Sequence, residues 1–287
     1  MNPSLDISQY AHTAWTIRDG FSLGNIYAIA QTPDGYLWLG GEFGLFRFDG
    51  VHSLPWQPLA GQDLGDKAVN RLLGARDGTL WIGTFGSLFT LSGGKLMARP
   101  EFPYMVDSLV EDRDGTVWAG SYGSGVGTPG GRLCAIRSGG TQCDGEDGAF
   151  GRTVSALYED GSGDLWAGAR SGLWRIRPGP THRYVTPPLG LSGIAADDSG
   201  RLVIAMYGAG LMQLAGDKLE SYPVRGAATN SNRLLQDRDV NSNKLLRDRD
   251  GGLWIGTVER GLLVSGGERR GHFGGATRGH SAIGGWR

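Results

Sequence analysis

The chain has 287 residues, enough to bury a substantial core, and its 51 glycines, about 18% of the total, are more than twice the usual share of about 7%. Nine tryptophans and 39% hydrophobic residues argue against disorder, and the glycines follow no collagen-like period, so they serve turns and closely packed backbone. With 28 Lys and Arg against 29 Asp and Glu, the formal net charge of −1 offers no basic excess to grip nucleic acid, and no run approaches the 18 apolar residues of a membrane span.

The opening Met1-Asn2-Pro3-Ser4-Leu5-Asp6 lacks the charged and apolar regions of a secretory signal. Tyr10 to Ile17 reads as a strand without a sheet of its own. From there one phrase recurs. Its first copies are Asp34-Gly35-Tyr36-Leu37-Trp38-Leu39-Gly40, Asp77-Gly78-Thr79-Leu80-Trp81-Ile82-Gly83 and Asp114-Gly115-Thr116-Val117-Trp118-Ala119-Gly120. A fourth, Ser162 to Gly168 with Trp166, loses the leading Asp. A fifth, Ser199 to Ala205, carries Val203 in place of the Trp, and Asp250 to Gly256 with Trp254 restores both. The intervals between these positions run from 37 to 51 residues, the length of a four-stranded propeller blade.

Each copy follows a short β-rich run such as Asn25 to Ala30, too short for a helix and long enough for a first strand. Asp-Gly signals a tight turn, the Trp phrase is a second strand, an alternating run such as Gly44 to Phe48 is a third, and a variable fourth completes the unit. A Trp wedged between neighbouring sheets would supply much of their packing, which makes Val203 the expected loosest seam. Thr229 to Asp239 and Val240 to Asp250 are near copies, and removing one of them brings the longest interval from 51 to 40 residues. The fold expected is all-β: a β-propeller of six four-stranded blades, its ring closed by the N-terminal strand. It forms a single domain over residues 1–265, followed by an irregular Gly/Arg-rich tail over 266–287.

The unit running most fully from Asn25 to Gly50 resembles the two-component regulator propeller repeat. That resemblance implies the sensory ectodomain of a hybrid two-component system, typically seven-bladed and facing the periplasm or cell exterior. The membrane and kinase parts that accompany such ectodomains are not recognisable in this sequence, so a separate membrane sensor kinase is an implied partner.

Candidate chemistry is sparse. Asp112-Arg113-Asp114-Gly115 and Asp248-Arg249-Asp250-Gly251 lack the third acidic ligand and the distal Glu of a calcium loop and read as turn chemistry. His12, His52 and His182 fall in outer strands, and His272 and His280 fall in the tail. No catalytic constellation, metal set or cofactor motif is found. The turns between second and third strands contain Glu42, Phe43, Phe85, Tyr122, Arg170, Tyr207, Glu259 and Arg260, which suit a small polar molecule or an oligosaccharide. The functional reading is therefore a non-enzymatic, ligand-binding sensor. A propeller lyase of the streptogramin-opening type and a protein-interaction scaffold stand as alternatives.

Cys134 and Cys143 flank a hairpin with Ser138-Gly139 at its tip. A two-residue turn closed by Arg137 and Gly140 sets the two cysteines opposite each other as a non-hydrogen-bonded pair, about 4.5 Å apart at Cα. They are a candidate disulfide, which favours an oxidising compartment; two reduced thiols are the alternative.

Overall fold

The structure, a computed structural model, describes residues 24–49, 51–64, 68–123, 130–186, 190–197, 199–207 and 209–222, and the backbone of four strands between 245 and 272. The chain divides into two compact units, one spanning residues 14–154 and the other residues 1–13 and 155–287.

The first unit holds three four-stranded antiparallel meanders. These are β1 (Ile26–Gln31), β2 (Leu37–Gly41), β3 (Gly44–Phe48) and β4 (Ser53–Pro55); β5 (Val69–Gly74), β6 (Leu80–Thr84), β7 (Leu88–Ser92) and β8 (Lys95–Ala98); and β9 (Met105–Glu111), β10 (Val117–Tyr122), β11 (Leu133–Arg137) and β12 (Gly140–Asp144). The second unit repeats the plan with β13 (Val154–Glu159), β14 (Leu165–Ala169), β15 (Gly172–Arg177) and β16 (His182–Tyr184), then β17 (Leu191–Ala196), β18 (Leu202–Met206), β19 (Gly210–Ala215) and β20 (Lys218–Ser221). Its last sheet is β21 (Leu245–Arg247), β22 (Leu253–Thr257), β23 (Gly261–Ser265) and β24 (Gly271–His272). β24 pairs with β23 inside the stretch expected to be an irregular tail. A two-residue pairing made through the backbone leaves no alternation for sequence to display. The expected strand Tyr10 to Ile17 and the first of the two near copies, Thr229 to Asp239, lie outside the described residues.

The repeat phrase builds the seams between sheets. Trp38 on β2 packs with Val69, Leu80 and Ile82 of the next sheet, Trp81 with Val106, Val117 and Ala119, and Trp166 with Leu191, Ile194 and Ile204. The glycine two residues beyond each Trp is explained by the same approach. A Cβ on Gly83 would lie 2.7 Å from the Val106 Cβ, and one on Gly168 would lie 3.0 Å from the Leu191 Cβ. The neighbouring first strand leaves no room for a side chain there.

In the fifth copy Val203 is fully buried. Asp197, six residues before it, stands where Asp112 precedes Trp118 and Asp160 precedes Trp166. In those two copies the carboxylate accepts the indole N–H. Without an indole, Asp197 instead accepts Arg201 Nε at 2.9 Å and the Tyr222 hydroxyl at 3.4 Å, so the seam expected to be loosest keeps a buried polar anchor.

Candidate functional site

In each described sheet the turn between second and third strands lies at the end where the first strand begins. Glu42 and Phe43 form the β2–β3 turn, completed by Gly44 at φ 122. This turn meets the approach to β1: Glu42 N–H donates to the Asn25 carbonyl at 3.1 Å, and a Cβ on Gly24 would come within 2.8 Å of the Phe43 ring. Phe85 heads the β6–β7 turn, which Thr84 fixes by accepting the Ser87 N–H at 3.1 Å. Tyr122 is not a turn residue. β10 continues through it, because it pairs with Met105 and bridges to Thr153. Phe43 is 61% exposed and Phe85 47%, so two aromatic faces at this end of the first unit are open to solvent.

Sequence reading misses other residues at this end. In β1, β5, β9 and β17 the ladder with the second strand slips by one residue, leaving Tyr27, Asn70, Asp107 and Ser192 as bulged residues. A bulge re-aims its side chain and is frequent beside binding sites. In the first unit Tyr27 stays 39% exposed, whereas Asn70 is buried and donates to the Val106 carbonyl at 2.6 Å. The Asp107 carboxylate accepts Arg71 Nη2 at 2.9 Å and the Thr153 hydroxyl at 2.5 Å. Arg71 also donates to the Asp107 carbonyl and the Asn70 carbonyl, each at 2.7 Å. This charge-assisted network ties β5, β9 and Thr153 together at the end where the first strands begin. No residue pattern marks it, because the bulged positions Tyr27, Asn70, Asp107 and Ser192 share no residue type.

In the second unit Arg170 lies in the β14–β15 turn and Tyr207 in the turn after β18. Both converge on Gly190. A Cβ there would lie 3.3 Å from Arg170 Nη1 and 3.5 Å from the Tyr207 ring, and Tyr207 N–H donates to the Gly190 carbonyl at 3.2 Å. Glu259 and Arg260 lie outside the described residues.

His182 belongs to the outermost strand β16, and His52 directly precedes the outermost strand β4. Among the described residues no three His, Cys, Asp or Glu side chains are grouped to hold a metal, and no helix is long and apolar enough to cross a membrane. On the outer hairpin β11–β12, Arg137 pairs with Gly140 and Cys134 with Cys143. The two sulfurs are bonded, with Cα atoms 4.0 Å apart.

Several solved structures are similar to this chain in fold. The extracellular domain assigned to a hybrid two component system of B. thetaiotaomicron aligns over 88% of this chain and 35% of its own, with 18% identity and a TM-score of 0.66. PorZ, a surface component of the type-IX secretion system of Porphyromonas gingivalis, aligns over 83% of this chain and 38% of its own, with 20% identity and a TM-score of 0.62. The chain thus spans little more than a third of either. Virginiamycin B lyase from Staphylococcus aureus aligns over 82% of this chain and 78% of its own, with 15% identity and a TM-score of 0.59. At such identities the likeness is one of fold, an all-β propeller.

The family model of the two component regulator propeller matches residues 20–43, 63–86 and 234–259. No curated protein matches this chain in sequence.

Proposed function

We propose that this chain is a non-enzymatic recognition module that binds a polar organic ligand, an oligosaccharide or another small molecule, at the leading end of its first strands. The observation that carries the reading is the concentration of features at one end of the strands in the first unit. Exposed Phe43 and Phe85 lie in second-to-third-strand turns at the end where the first strands begin, the end at which the Arg71–Asp107–Thr153 network ties β5, β9 and Thr153 together. Aromatic faces supply area at low entropic cost, and nearby Glu42 supplies a charged acceptor for hydroxyl groups. The kinship of the repeats with sensors supports a signalling role, exercised through a separate membrane kinase. The disulfide supports a periplasmic or extracellular setting.

The lyase likeness motivates the competing reading. His52 and His182 sit at outermost strands, remote in the fold from the leading ends of the first strands, which favours recognition over catalysis. Incubation with a streptogramin B depsipeptide and a divalent metal, followed by chromatography, separates the two. The expected result is intact macrocycle, and a linear product overturns the non-enzymatic reading.

A further inference from the structure

The first unit contains a physical link between its disulfide and the candidate site. β12 is the outermost strand of its sheet and pairs with β11. Its residues alternate between exposed and half-buried, so β12 is held by the ladder, by the packing of Cys143 on the buried cluster around Trp81 and Ala119, and by the bond from Cys143 to the fully buried Cys134. The chain then passes through a tight loop over residues 145–152. That loop is folded on itself by Gly148 N–H to the Gly145 carbonyl at 3.1 Å and Gly151 N–H to the Gly148 carbonyl at 2.9 Å. It leans on the start of β11, where Gly131 N–H donates to the Gly151 carbonyl at 2.6 Å, and on the end of β10, where Gly123 N–H donates to the Arg152 carbonyl at 2.8 Å. The next residue is Thr153, whose hydroxyl grips Asp107 and whose backbone bridges to Tyr122. One continuous segment therefore runs from Cys143 to the wall of the site.

We propose that the Cys134–Cys143 disulfide is a redox-sensitive fastening of that wall, a reading that rests on the ligand site argued above. An external dithiol is the reductant. Its thiolate attacks Cys143 Sγ on the edge strand, the Cys134–Cys143 bond breaks, and Cys134 leaves as a thiolate. The second sulfur of the dithiol then attacks the mixed disulfide and releases Cys143. The two cysteines gain two electrons and two protons, and the dithiol becomes a disulfide. With the bond open, β12 keeps its backbone ladder and the packing of Cys143 but loses its covalent fastening, and the loop carrying Thr153 loosens from Asp107, Gly123 and Gly131.

Hydrogen exchange measured by mass spectrometry on the full chain tests this without a ligand. Three samples are compared: oxidised, reduced with dithiothreitol, and Cys143→Ser. Amides over 140–153 and at Gly123 are expected to exchange about tenfold faster or more in the last two samples, while β17 to β20 keep their rates. Unchanged rates over 140–153 overturn the proposal, and so does equal acceleration in both units, which would make the bond a staple of the whole fold. Because no ligand is present, failure here leaves the recognition reading standing. Failure of ligand binding leaves the exchange result intact.

Discussion

The indole N–H of Trp118 donates to the Asp112 carboxylate at 2.7 Å, and both residues are buried. The other oxygen of that carboxylate accepts the N–H groups of Asp114 and Thr116, each at 2.9 Å. A turn and a seam are thus closed by one side chain: the tight turn positions the acid, and the acid positions the Trp that packs the sheet. Trp166 and Asp160 repeat the pair at 2.9 Å, and Trp38 finds the Thr32 hydroxyl at 3.0 Å.

Asp112→Ala leaves two buried donors, the Trp118 indole and the Thr116 N–H, and the part-buried Asp114 N–H without this acceptor and is expected to cost about 2–4 kcal/mol of stability. The denaturant midpoint measures it. A loss within about 0.5 kcal/mol, the size of an ordinary surface change, contradicts the role assigned to this carboxylate.

Asp197 carries a pH signature. Burial pushes its carboxyl up, but hydrogen bonds from Ser199 and the Arg201 N–H, together with the Arg201 guanidinium, outweigh that and hold it below the ordinary 3.8. A depressed folded-state value means stability that is present above about pH 4 and lost as pH falls through the folded value. Asp197→Asn is therefore expected to be about 2 kcal/mol less stable than the parent at pH 6, a gap that narrows below pH 4. Thermal unfolding of both proteins across that range checks it; a gap that widens on acidification reverses the assigned sign.

Much of this architecture is legible in the sequence because the repeat phrase encodes local and inter-sheet needs together. Leu-Trp-Ile-Gly gives a strand, a wedge and a space for the neighbour. The hairpin register of Arg137 with Gly140 follows from Ser138-Gly139 alone. What is not legible depends on three-dimensional coincidence. Asp112 reads as a turn residue, because its reach to Trp118 crosses the hairpin. Tyr27 and Asp107 are bulged, and a bulge has no residue signature of its own. Arg201 and Tyr222 replace a missing indole from opposite ends of a sheet. Glu42, Phe43 and Phe85 are readable as turn residues, but the Arg71–Asp107 pair at the same end is not.

Gly83 tests the close approach of adjacent sheets. Gly83→Ala puts a methyl 2.7 Å from the Val106 Cβ and is expected to cost about 1–3 kcal/mol. Combining it with Val106→Ala should recover part of that loss relative to additivity, because the two side chains meet directly. Strict additivity in the double-mutant cycle contradicts the contact.

The Arg71–Asp107 pair, with each side chain 17% exposed, is expected to show a coupling of about 1–3 kcal/mol between Arg71→Ala and Asp107→Ala. Urea unfolding of the four proteins gives the value. A coupling near zero makes the pair incidental to the seam.

Recognition at the leading end of the first strands is tested most directly with two residues of equal exposure. Phe85 and Met97 are both 47% exposed, the first in the β6–β7 turn and the second on the outer strand β8. Isothermal titration of an oligosaccharide panel is carried out on the parent, Phe85→Ala and Met97→Ala. At least one oligosaccharide is predicted to bind the parent and Met97→Ala alike and to bind Phe85→Ala about tenfold or more weakly, the cost of a lost aromatic contact. Binding that is indifferent to Phe85, or no binding across the panel, contradicts an oligosaccharide site at this end.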